Sequence, residues 1–343
     1  MIKKTCGVLF LFGILQCAFS APSAAQSGDP CLSTTVWYFP DPMPVGWFYY
    51  GTYPGTYAYG IAAESSACAP PDPGPVCLPC LAPSATGGAP INLATGNTYF
   101  QQRDLRIPGI SGGLTLVRTW NSKWPSSQSA VQVGLFGPNW RSTYEEQVFV
   151  GSDHYIKYSR GDGGFWSFGS SGGPGSWSLA APQNVSVTLT APNTSTPYWL
   201  MTFENGEQRR FDSTSGMLTA IIDRNGNTTT LAYDSANRLV TVTDAASRHL
   251  TFTYPSTSSH LVTGVSSDAG ISLSYTYDGQ SRLSQVTNPD LTTLSFTYNS
   301  QSLITAVTDS SGKILESHTY DSSGRGLTSS RAAGVEAVTI TYP

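Results

Sequence analysis

An aromatic-acidic couplet recurs along the C-terminal part of the chain and constrains its fold more than any other feature. The dipeptide Tyr-Asp, or a close variant of it, returns every 21 to 23 residues. Its copies begin at Phe211, Tyr233, Tyr254, Tyr277, Tyr298, Tyr320 and Tyr342. A period of this length is typical of repeat proteins, in which each copy is one supersecondary unit. We therefore predict a repeat array over residues 211–343.

Each aromatic residue of the couplet closes a run of alternating polarity. In residues 271–277, Ile, Leu, Tyr and Tyr alternate with Ser, Ser and Thr. Similar runs end at Tyr254, Tyr298 and Tyr342. Alternation with a period of two predicts a β-strand that has one apolar face.

Turn-forming residues follow each of these runs. The acidic members of the couplets are Asp212, Asp234, Asp278 and Asp321. Because an Asp side chain readily bonds its own backbone, we interpret these residues as turn formers and not as catalytic groups. Second strands then begin at Arg238-Leu239 and at Arg282-Leu283.

The repeat unit is thus predicted to be strand, turn, strand, turn. The fold class is all-β, with an antiparallel β-hairpin repeat sheet as a partial shell and a β-rich domain before it. The apolar face of such a sheet must be covered by its own curvature or by a neighbouring element. A last strand ending at Tyr342 would leave an unpaired edge.

The spacing Tyr-Asp-x-x-x-Arg-Leu at 233–239 and 277–283 resembles the YD repeat of Rhs (rearrangement hotspot) proteins and their wall-associated relatives. A second signature precedes it, with Pro-Ile-Asn-Leu-Ala-Thr-Gly-Asn at 90–97 and Gly-Pro-Asn-Trp-Arg at 137–141. It resembles the β domain that comes before YD repeats in Rhs proteins. The resemblance implies a turn at Gly96-Asn97 and core positions for Trp120 and Trp140.

These features divide the chain into four parts. Residues 1–25 are predicted to be a signal peptide, since Lys3-Lys4 precedes a short apolar run and small residues. A membrane anchor is the alternative, but the run is too short to span a bilayer comfortably. Residues 26–90 form a Pro-, Gly- and aromatic-rich segment and linker, 91–210 the Rhs-type β domain, and 211–343 about six degenerate repeats. We therefore expect a secreted or cell-surface protein with no stable membrane span after leader removal.

Four cysteines remain outside the predicted leader: Cys31, Cys68, Cys77 and Cys80. An even number in an exported protein predicts disulfides, with three pairings open. The Cys77–Cys80 spacing also occurs in redox proteins, but no βαβ pattern surrounds it. Zinc is a further interpretation, although no second cysteine or histidine pair lies nearby.

No catalytic, metal or cofactor site is predicted. Gly169–Gly173 has the letters of a nucleophile elbow, but it belongs to a predicted flexible loop, 169–175. Arg160-Gly161-Asp162 spells an integrin-binding tripeptide and is better interpreted as part of a hairpin turn. The four histidines show no ligand spacing. Charged residues are only 12% of the chain and form no basic stripe, so no nucleic-acid partner is expected.

The repeated Tyr rings have two interpretations. Core packing requires buried rings at Tyr233, Tyr277 and Tyr298, whereas stacking on sugars requires exposed ones. The leading functional prediction is a non-enzymatic exported β scaffold. The resemblance implies the N-terminal shell portion of a polymorphic-toxin or wall-associated protein that lacks its C-terminal toxin and appears truncated. Its expected partner is the remaining C-terminal YD-repeat and toxin portion of the locus. The alternative is a carbohydrate- or cell-surface-binding module acting through exposed aromatics.

Overall fold

The computed structural model describes residues 90–123, 133–151, 155–170, 176–181 and 185–342, together with the backbone of five short strands before residue 90. Across these residues the regular elements are antiparallel β-strands and two three-residue 3-10 turns, Ile110–Gly112 and Ala332–Gly334. The predicted all-β class is confirmed. No helix in the described ranges is long and apolar enough to cross a membrane.

Four short strands near the N-terminus form one antiparallel sheet. They are β1 (Ala18–Ser20), β2 (Thr35–Pro40), β3 (Phe48–Tyr53) and β4 (Tyr57–Ile61), in the order β1-β2-β4-β3. The pair β5 (Thr86–Gly87) and β6 (Ile91–Asn92) follows. Cys31, Cys68, Cys77 and Cys80 lie outside the described residues, as does most of the predicted leader. The disulfide and leader assignments therefore stay predictions.

A small β unit follows, which we call the inner unit and define as residues 90–123 and 133–146. Its strands are β7 (Tyr99–Ile107), β8 (Leu114–Asn121), β9 (Val133–Gly134), β10 (Gly137–Pro138) and β11 (Trp140–Ser142). Strand β8 lies between β7 and β11, and β9 pairs with β10. Trp120 and Trp140 are fully buried in this unit. Gly96, at the predicted turn before β7, has a φ of 72°.

The rest of the chain forms one sheet of 19 strands in which every strand pairs with its neighbours in sequence. The first eight are β12 (Gln147–Val150), β13 (Ile156–Ser159), β14 (Phe165–Ser170), β15 (Ser176–Ala181), β16 (Val187–Thr190), β17 (Tyr198–Phe203), β18 (Gln208–Asp212) and β19 (Leu218–Ile222). The other eleven are β20 (Thr228–Tyr233), β21 (Leu239–Thr243), β22 (His249–Thr253), β23 (Gly264–Ser267), β24 (Ser272–Tyr277), β25 (Leu283–Thr287), β26 (Thr293–Tyr298), β27 (Ile304–Asp309), β28 (Ile314–Tyr320), β29 (Gly326–Arg331) and β30 (Val335–Thr339). We call β19–β30 the repeat sheet.

The first strands of this sheet close on themselves. The outer edge of β12 meets the turn between β18 and β19, where the Val148 N–H donates to the Gly216 carbonyl at 2.8 Å and the Leu218 N–H donates to the Glu146 carbonyl at 3.1 Å. Gly216 has a φ of 66°, and a Cβ atom there would overlap the Val148 carbonyl oxygen. Glycine is therefore required at position 216, where the turn covers the outer edge of β12.

The hairpin turns of the repeats share one geometry. In the turn after Tyr233, the Asp234 N–H donates to the Arg238 carbonyl, the Asn237 N–H donates to the Asp234 carbonyl, and Asn237 has a φ of 58°. This is a three-residue loop, a type I turn that ends in a left-handed residue. The turn at Glu204–Glu207, which the Asn-Gly pair predicts to be type I′, has this geometry as well, because only Gly206 has a positive φ. The type I′ prediction is wrong.

The prediction of a flexible loop at 169–175 is wrong for residues 169 and 170, which belong to a strand. A second strand, which was not predicted, begins directly after residue 175. Gly169 and Ser170 belong to β14, and β15 (Ser176–Ala181) pairs with β14 and with β16. The short alternation in residues 176–181 was hidden by the Gly- and Ser-rich composition before it. The strand resulted from pairing on both sides, which is a tertiary effect.

The apolar face of the repeat sheet is covered by the inner unit. The Phe136 and Tyr275 rings lie 4.8 Å apart, and Trp140 contacts Phe296 edge to face at 5.4 Å. Phe100 packs against Phe296 at 5.7 Å. Of the two ways to cover this face that the sequence leaves open, contact with a neighbouring element is observed here. The inner unit and the repeats therefore share one hydrophobic core.

Candidate functional site

The acidic residue of the couplet organises its own turn. Asp234 Oδ1 accepts hydrogen bonds from the Ala236 and Arg238 N–H groups at 2.9 and 3.0 Å, and Oδ2 accepts one from Arg238 Nε at 2.8 Å. The pairs Asp278–Arg282 and Asp321–Arg325 repeat this arrangement. Hydrogen bonds from the Arg238 side chain and backbone lower the pKa of Asp234. Both oxygens of the Asp234 carboxylate therefore accept hydrogen bonds from its own turn.

The lowered pKa values of the turn carboxylates predict that the fold loses stability in acid. Hydrogen bonds from Asn227 and Ser111 lower the pKa of Asp223 from 3.8 to about 2, and the pKa of Asp234 is lowered as well. A pKa that is lower in the folded state contributes stability above the unfolded pKa, and this stability is lost as the pH falls through the folded value. We expect the urea midpoint to decrease as the pH falls from near 4 towards 2. Asp234→Asn should flatten this decrease, and an unchanged pH profile would contradict the assignment.

The aromatic residue of the couplet reaches back one copy. Each hydroxyl donates at 2.7 Å to a backbone carbonyl 15 or 16 residues earlier. The donor and acceptor residues are Tyr233 and Leu218, Tyr254 and Leu239, Tyr277 and Val262, Tyr298 and Leu283, Tyr320 and Ile304, and Tyr342 and Gly326. Burial raises the pKa of Tyr233, Tyr277 and Tyr298, so these hydroxyls stay protonated as donors. The side chains are half-buried, less than the core interpretation requires.

The arginine of the motif reaches forward one copy. The guanidinium of Arg282 lies 4.7 Å from the centre of the Tyr298 ring, and Arg238 and Arg325 stack in the same way on Tyr254 and Tyr342 at 4.6 and 4.2 Å. We call the combination of this stack and the Tyr hydroxyl bond the Arg-Tyr staple. Cation-π contact and a buried hydrogen bond both favour a fixed spacing of successive copies. Sequence reasoning missed this role and assigned the arginines only to strand starts.

Removing one staple hydroxyl should have a measurable cost. Tyr298→Phe is expected to lower the free energy of unfolding by about 1 kcal/mol, because the Leu283 carbonyl loses its donor. Urea denaturation measures the difference. Tyr198→Phe is the matched control, since the Tyr198 hydroxyl has no hydrogen-bond partner in the described parts of the chain. Equal effects of the two changes would argue against the staple.

A buried polar cluster joins the inner unit to the repeats. Arg118 and Asp104 form an ion pair with both side chains fully buried, and Arg118 Nη2 donates to Asp104 Oδ1 at 2.8 Å. The Tyr275 hydroxyl donates to Asp104 Oδ2 at 2.7 Å. Arg118 also lies over the Trp140 and Tyr275 rings at 4.8 and 5.4 Å. Burial, followed by the nearby Asp104 charge, raises the pKa of Tyr275 well above its usual range, so Tyr275 remains a donor.

Two departures from the repeat motif mark places where the inner unit binds. After Tyr254 the chain lacks the Asp and Arg of the motif, and the Val262 N–H there donates to the Leu135 carbonyl at 2.8 Å. In the copy after Tyr320, Gly326 stands where other copies have Leu239 or Leu283. A Cβ atom on Gly326 would lie 2.8 Å from Ile91 Cδ1.

The Gly326 backbone also contributes to this contact. Its N–H donates to the Gly96 carbonyl at 2.9 Å, and Lys123 Nζ donates to the Ser323 carbonyl at 3.0 Å. The Ile91 side chain thus takes the space of a repeat leucine. The departures from the motif at these two copies make room for the inner unit. The sequence showed them as a missing Asp after Tyr254 and a missing Leu after Arg325.

A solvent-facing cleft of about 160 Å³ lies where the inner unit, β12 and the repeats meet. Its wall includes Leu135, Glu145, Met217, Tyr233 and His260. Burial raises the pKa of Glu145, although the positive charge of Arg141 and the Leu135 N–H act against this shift. Burial lowers the pKa of Arg141 to about 10.

The other sites weighed in the sequence behave as structural elements. Arg160 and Asp162 form an ion pair inside the β13–β14 turn, and Gly163 has a φ of 87°. The Arg160 side chain is 7% exposed, so the tripeptide is not displayed for recognition. Phe211 is fully buried, and Asp212 accepts the Ser215 N–H at 2.7 Å in its own turn. No group of three or more potential metal ligands occurs in the described ranges.

Comparison with known families gives two matches. Residues 88–168 match a family described as "Domain of unknown function (DUF6531)", and residues 212–249 match one described as "RHS Repeat". The first range covers the whole inner unit and β12–β13, and the second covers β19–β21. No curated protein matches the chain in sequence.

Two solved structures are similar to part of this chain. The crystal structure titled TcdB2-TccC3-Cdc42 is 13% identical over 65% of this chain, with a TM-score of 0.31. The Photorhabdus luminescens Tc holotoxin pore with a TccC3 mutation is 12% identical over 65% of this chain, with a TM-score of 0.31. The matched region is 12% of the length of each of those chains.

Proposed function

We propose, from the premise that this chain is an Rhs/YD-repeat protein, that its Rhs-type β shell acts as a non-enzymatic scaffold. The observation that carries the proposal is the use of the motif side chains. Asp234 is bound within its turn, the Tyr254 hydroxyl is bound to the Leu239 carbonyl, and Arg238 is stacked on Tyr254. Groups that hold the sheet together in this way have no capacity left for acid-base or nucleophilic work.

The proposed partner is the remaining C-terminal YD-repeat and toxin portion of the locus. Strand β30 supports this assignment, because no described strand pairs with its outer edge. The N–H and C=O groups of an open edge pair readily with a further strand. A next repeat supplied by the same locus has the matching alternation and turn spacing. The chain would then serve as the first segment of a longer shell.

Co-expression tests this partnership. The chain and further YD repeats encoded at the same locus are produced as separately tagged polypeptides, and we expect them to co-elute. Thr339→Pro is the informative variant. The Ile340 N–H donates to the Leu327 carbonyl of β29, so alternation points the Thr339 N–H away from β29. A proline at 339 should block the edge and leave the β29 pairing intact. Separate elution of two folded polypeptides would contradict the partnership.

Export is the second element of the proposal. The charged and apolar pattern of residues 1–25 supports a cleaved signal peptide and a secreted or cell-surface location. N-terminal sequencing of the protein from the medium and from cell fractions should find a start after Ser20 or Ala25. Mass spectrometry under non-reducing conditions should find Cys31 and Cys68 without free thiols. A full-length cytoplasmic protein would overturn this element.

Glycan binding through exposed aromatics is the alternative function. It requires ring faces open to solvent, whereas Arg238, Arg282 and Arg325 cover one face of the rings of Tyr254, Tyr298 and Tyr342. Trp120 and Trp140 are buried. A glycan array separates the two functions, because binding above background would favour the alternative and its absence would favour the scaffold.

A further inference from the structure

The two rims of the repeat sheet differ in polarity. The turns that follow the couplets form one rim, which we call the couplet rim. The turns that follow β19, β21, β23, β25, β27 and β29 form the other, which we call the opposite rim. Leu291, Ile314 and Val335 lie in or directly after the last three turns of the opposite rim and are 80%, 51% and 60% exposed. Among the described residues, no turn of the couplet rim has an exposed large apolar side chain. Neighbouring exposed apolar residues of this kind mark interaction sites.

Leu291 is the least expected residue of this row. It occupies the left-handed position of the β25–β26 turn, with a φ of 66°. The same position in other turns of this rim is held by Gly226, Ser247, Gly270 and Gly312. A bulky side chain is strained in this conformation, and burial does not compensate for the strain because Leu291 is mostly exposed. A contact with a second molecule would bury this side chain.

Each of the two central apolar residues of the rim follows an exposed charged residue. Asp290 precedes Leu291, and Lys313 precedes Ile314. Asp290 Oδ1 accepts hydrogen bonds from the N–H and the hydroxyl of Thr292 at 3.0 and 2.6 Å. In the described parts of the chain, neither Asp290 nor Lys313 forms an ion pair. Both charges are therefore open to a partner.

One further carboxylate lies in the turn of Lys313. The Ser311 hydroxyl and, to a smaller extent, the Lys313 charge lower the pKa of Asp309. Asp309 Oδ1 accepts hydrogen bonds from the Ser311 and Lys313 N–H groups at 2.9 and 3.0 Å. The carboxylate thus bonds the backbone of its turn, while the Lys313 ammonium group stays exposed.

We propose that two copies of this chain associate through the opposite rim, around a two-fold axis between the β25–β26 and β27–β28 turns. Such an axis places Leu291 of each copy against Ile314 of the other, and Asp290 of each copy against Lys313 of the other. The two turns are separated by two strand spacings, roughly 10 Å, so the four contacts lie in one small patch. A surface with a carboxylate beside one apolar residue and an ammonium group beside the next is complementary to itself in this orientation.

The contact is small and should be reversible. A few turns from each copy bury less than the ~800 Å² per partner of a standard interface, so we expect a dissociation constant in the micromolar range or weaker. The rim is also separate from the outer edge of β30, which stays open to a further strand. The inference therefore goes beyond the scaffold role and does not depend on it.

The first test measures self-association of the unmodified full-length chain. Sedimentation velocity over a range of concentrations should show a monomer–dimer equilibrium that weakens as the ionic strength rises, since exposed charges are screened by salt. Thr339→Pro blocks the β30 edge and should leave this dimer intact. A monomer at every concentration would overturn the proposal, and so would loss of the dimer in Thr339→Pro, which would assign association to the strand edge.

The second test removes the apolar contact. Leu291→Asn introduces the residue that Asn237 supplies at the equivalent position of a couplet turn, with a φ of 58°. It should weaken the dimer about tenfold, because two apolar contacts are lost, while the urea midpoint of the monomer stays the same or rises. Ser302→Asn is the matched control, since Ser302 has the same turn position on the couplet rim and a φ of 61°. Equal dimerisation of the two variants would contradict the rim contact.

The third test exchanges the charges. Asp290→Lys leaves two lysines in the patch, Lys313→Asp leaves two acidic residues, and each variant alone should dimerise about tenfold more weakly than the unmodified chain. A mixture of the two variants should form a heterodimer, because both charge contacts are then complementary. The double variant Asp290→Lys with Lys313→Asp should dimerise again by itself. Folded variants that fail to associate in the mixture, at concentrations where the unmodified chain is a dimer, would refute the proposed pairing.

Discussion

Replacing Asp104 by Asn is expected to lower the free energy of unfolding by about 3 kcal/mol, the largest effect among the changes considered. The substitution leaves the Arg118 guanidinium fully buried without its counter-ion. Breaking a buried ion pair by removing one partner costs roughly 3–5 kcal/mol, because the remaining charge is desolvated and uncompensated. Urea denaturation, followed by tryptophan fluorescence, measures the loss directly, since Trp140 lies against Arg118.

A double variant separates charge from packing. Asp104→Asn combined with Arg118→Met removes both charges and keeps an unbranched side chain among Phe136, Trp140 and Tyr275. Buried ion pairs are often replaced by apolar residues without a net loss of stability, so most of the effect of Asp104→Asn should be recovered. A double variant that is as unstable as the single one would show that the loss does not come from the uncompensated charge of Arg118.

Replacing Gly326 by Leu should destabilise the protein even though it restores the repeat motif. The new side chain would occupy space already filled by Ile91 and Thr98. Overpacking a closed core costs about 1–3 kcal/mol, and here it would also push the Gly326 N–H away from the Gly96 carbonyl. The change should be visible as a lower urea midpoint and as faster proteolysis between residues 90 and 123.

Relief of the clash provides the control. Ile91→Ala combined with Gly326→Leu empties space for the new leucine and should be more stable than Gly326→Leu alone. A simple preference for the repeat motif predicts the opposite result, in which Gly326→Leu by itself stabilises the chain. The two outcomes therefore distinguish a docking position from random decay of the repeat.

The departures from the motif thus follow a physical pattern. The Asp278 and Arg282 copy forms both the turn bonds and the Arg-Tyr staple. The copy after Tyr254 lacks the Asp and Arg, and its Val262 N–H donates to the inner unit. The copy after Tyr320 keeps the turn bonds and the staple through Asp321 and Arg325. It departs from the motif only at Gly326, where Ile91 of the inner unit takes the space of the leucine.

Much of the architecture could be predicted from local pattern. The alternation of residues 271–277 became strand β24, and the run ending at Tyr298 became strand β26. Local side-chain chemistry also predicted the turns after Asp234 and Asp278, since an Asp bonds its own backbone. The type I′ prediction for the turn at Glu204–Glu207 was wrong because the Asn-Gly pair alone does not determine the sign of φ at Asn205.

The sequence by itself determined the all-β class, the period of the repeat and the positions of its turns, because these follow from interactions between residues a few positions apart. Only the tertiary structure decided that the inner unit covers the apolar face and that Tyr275 meets Asp104 and Arg118. Those contacts join residues more than 100 positions apart. No local spacing encodes which of many similar strands will face a given side chain.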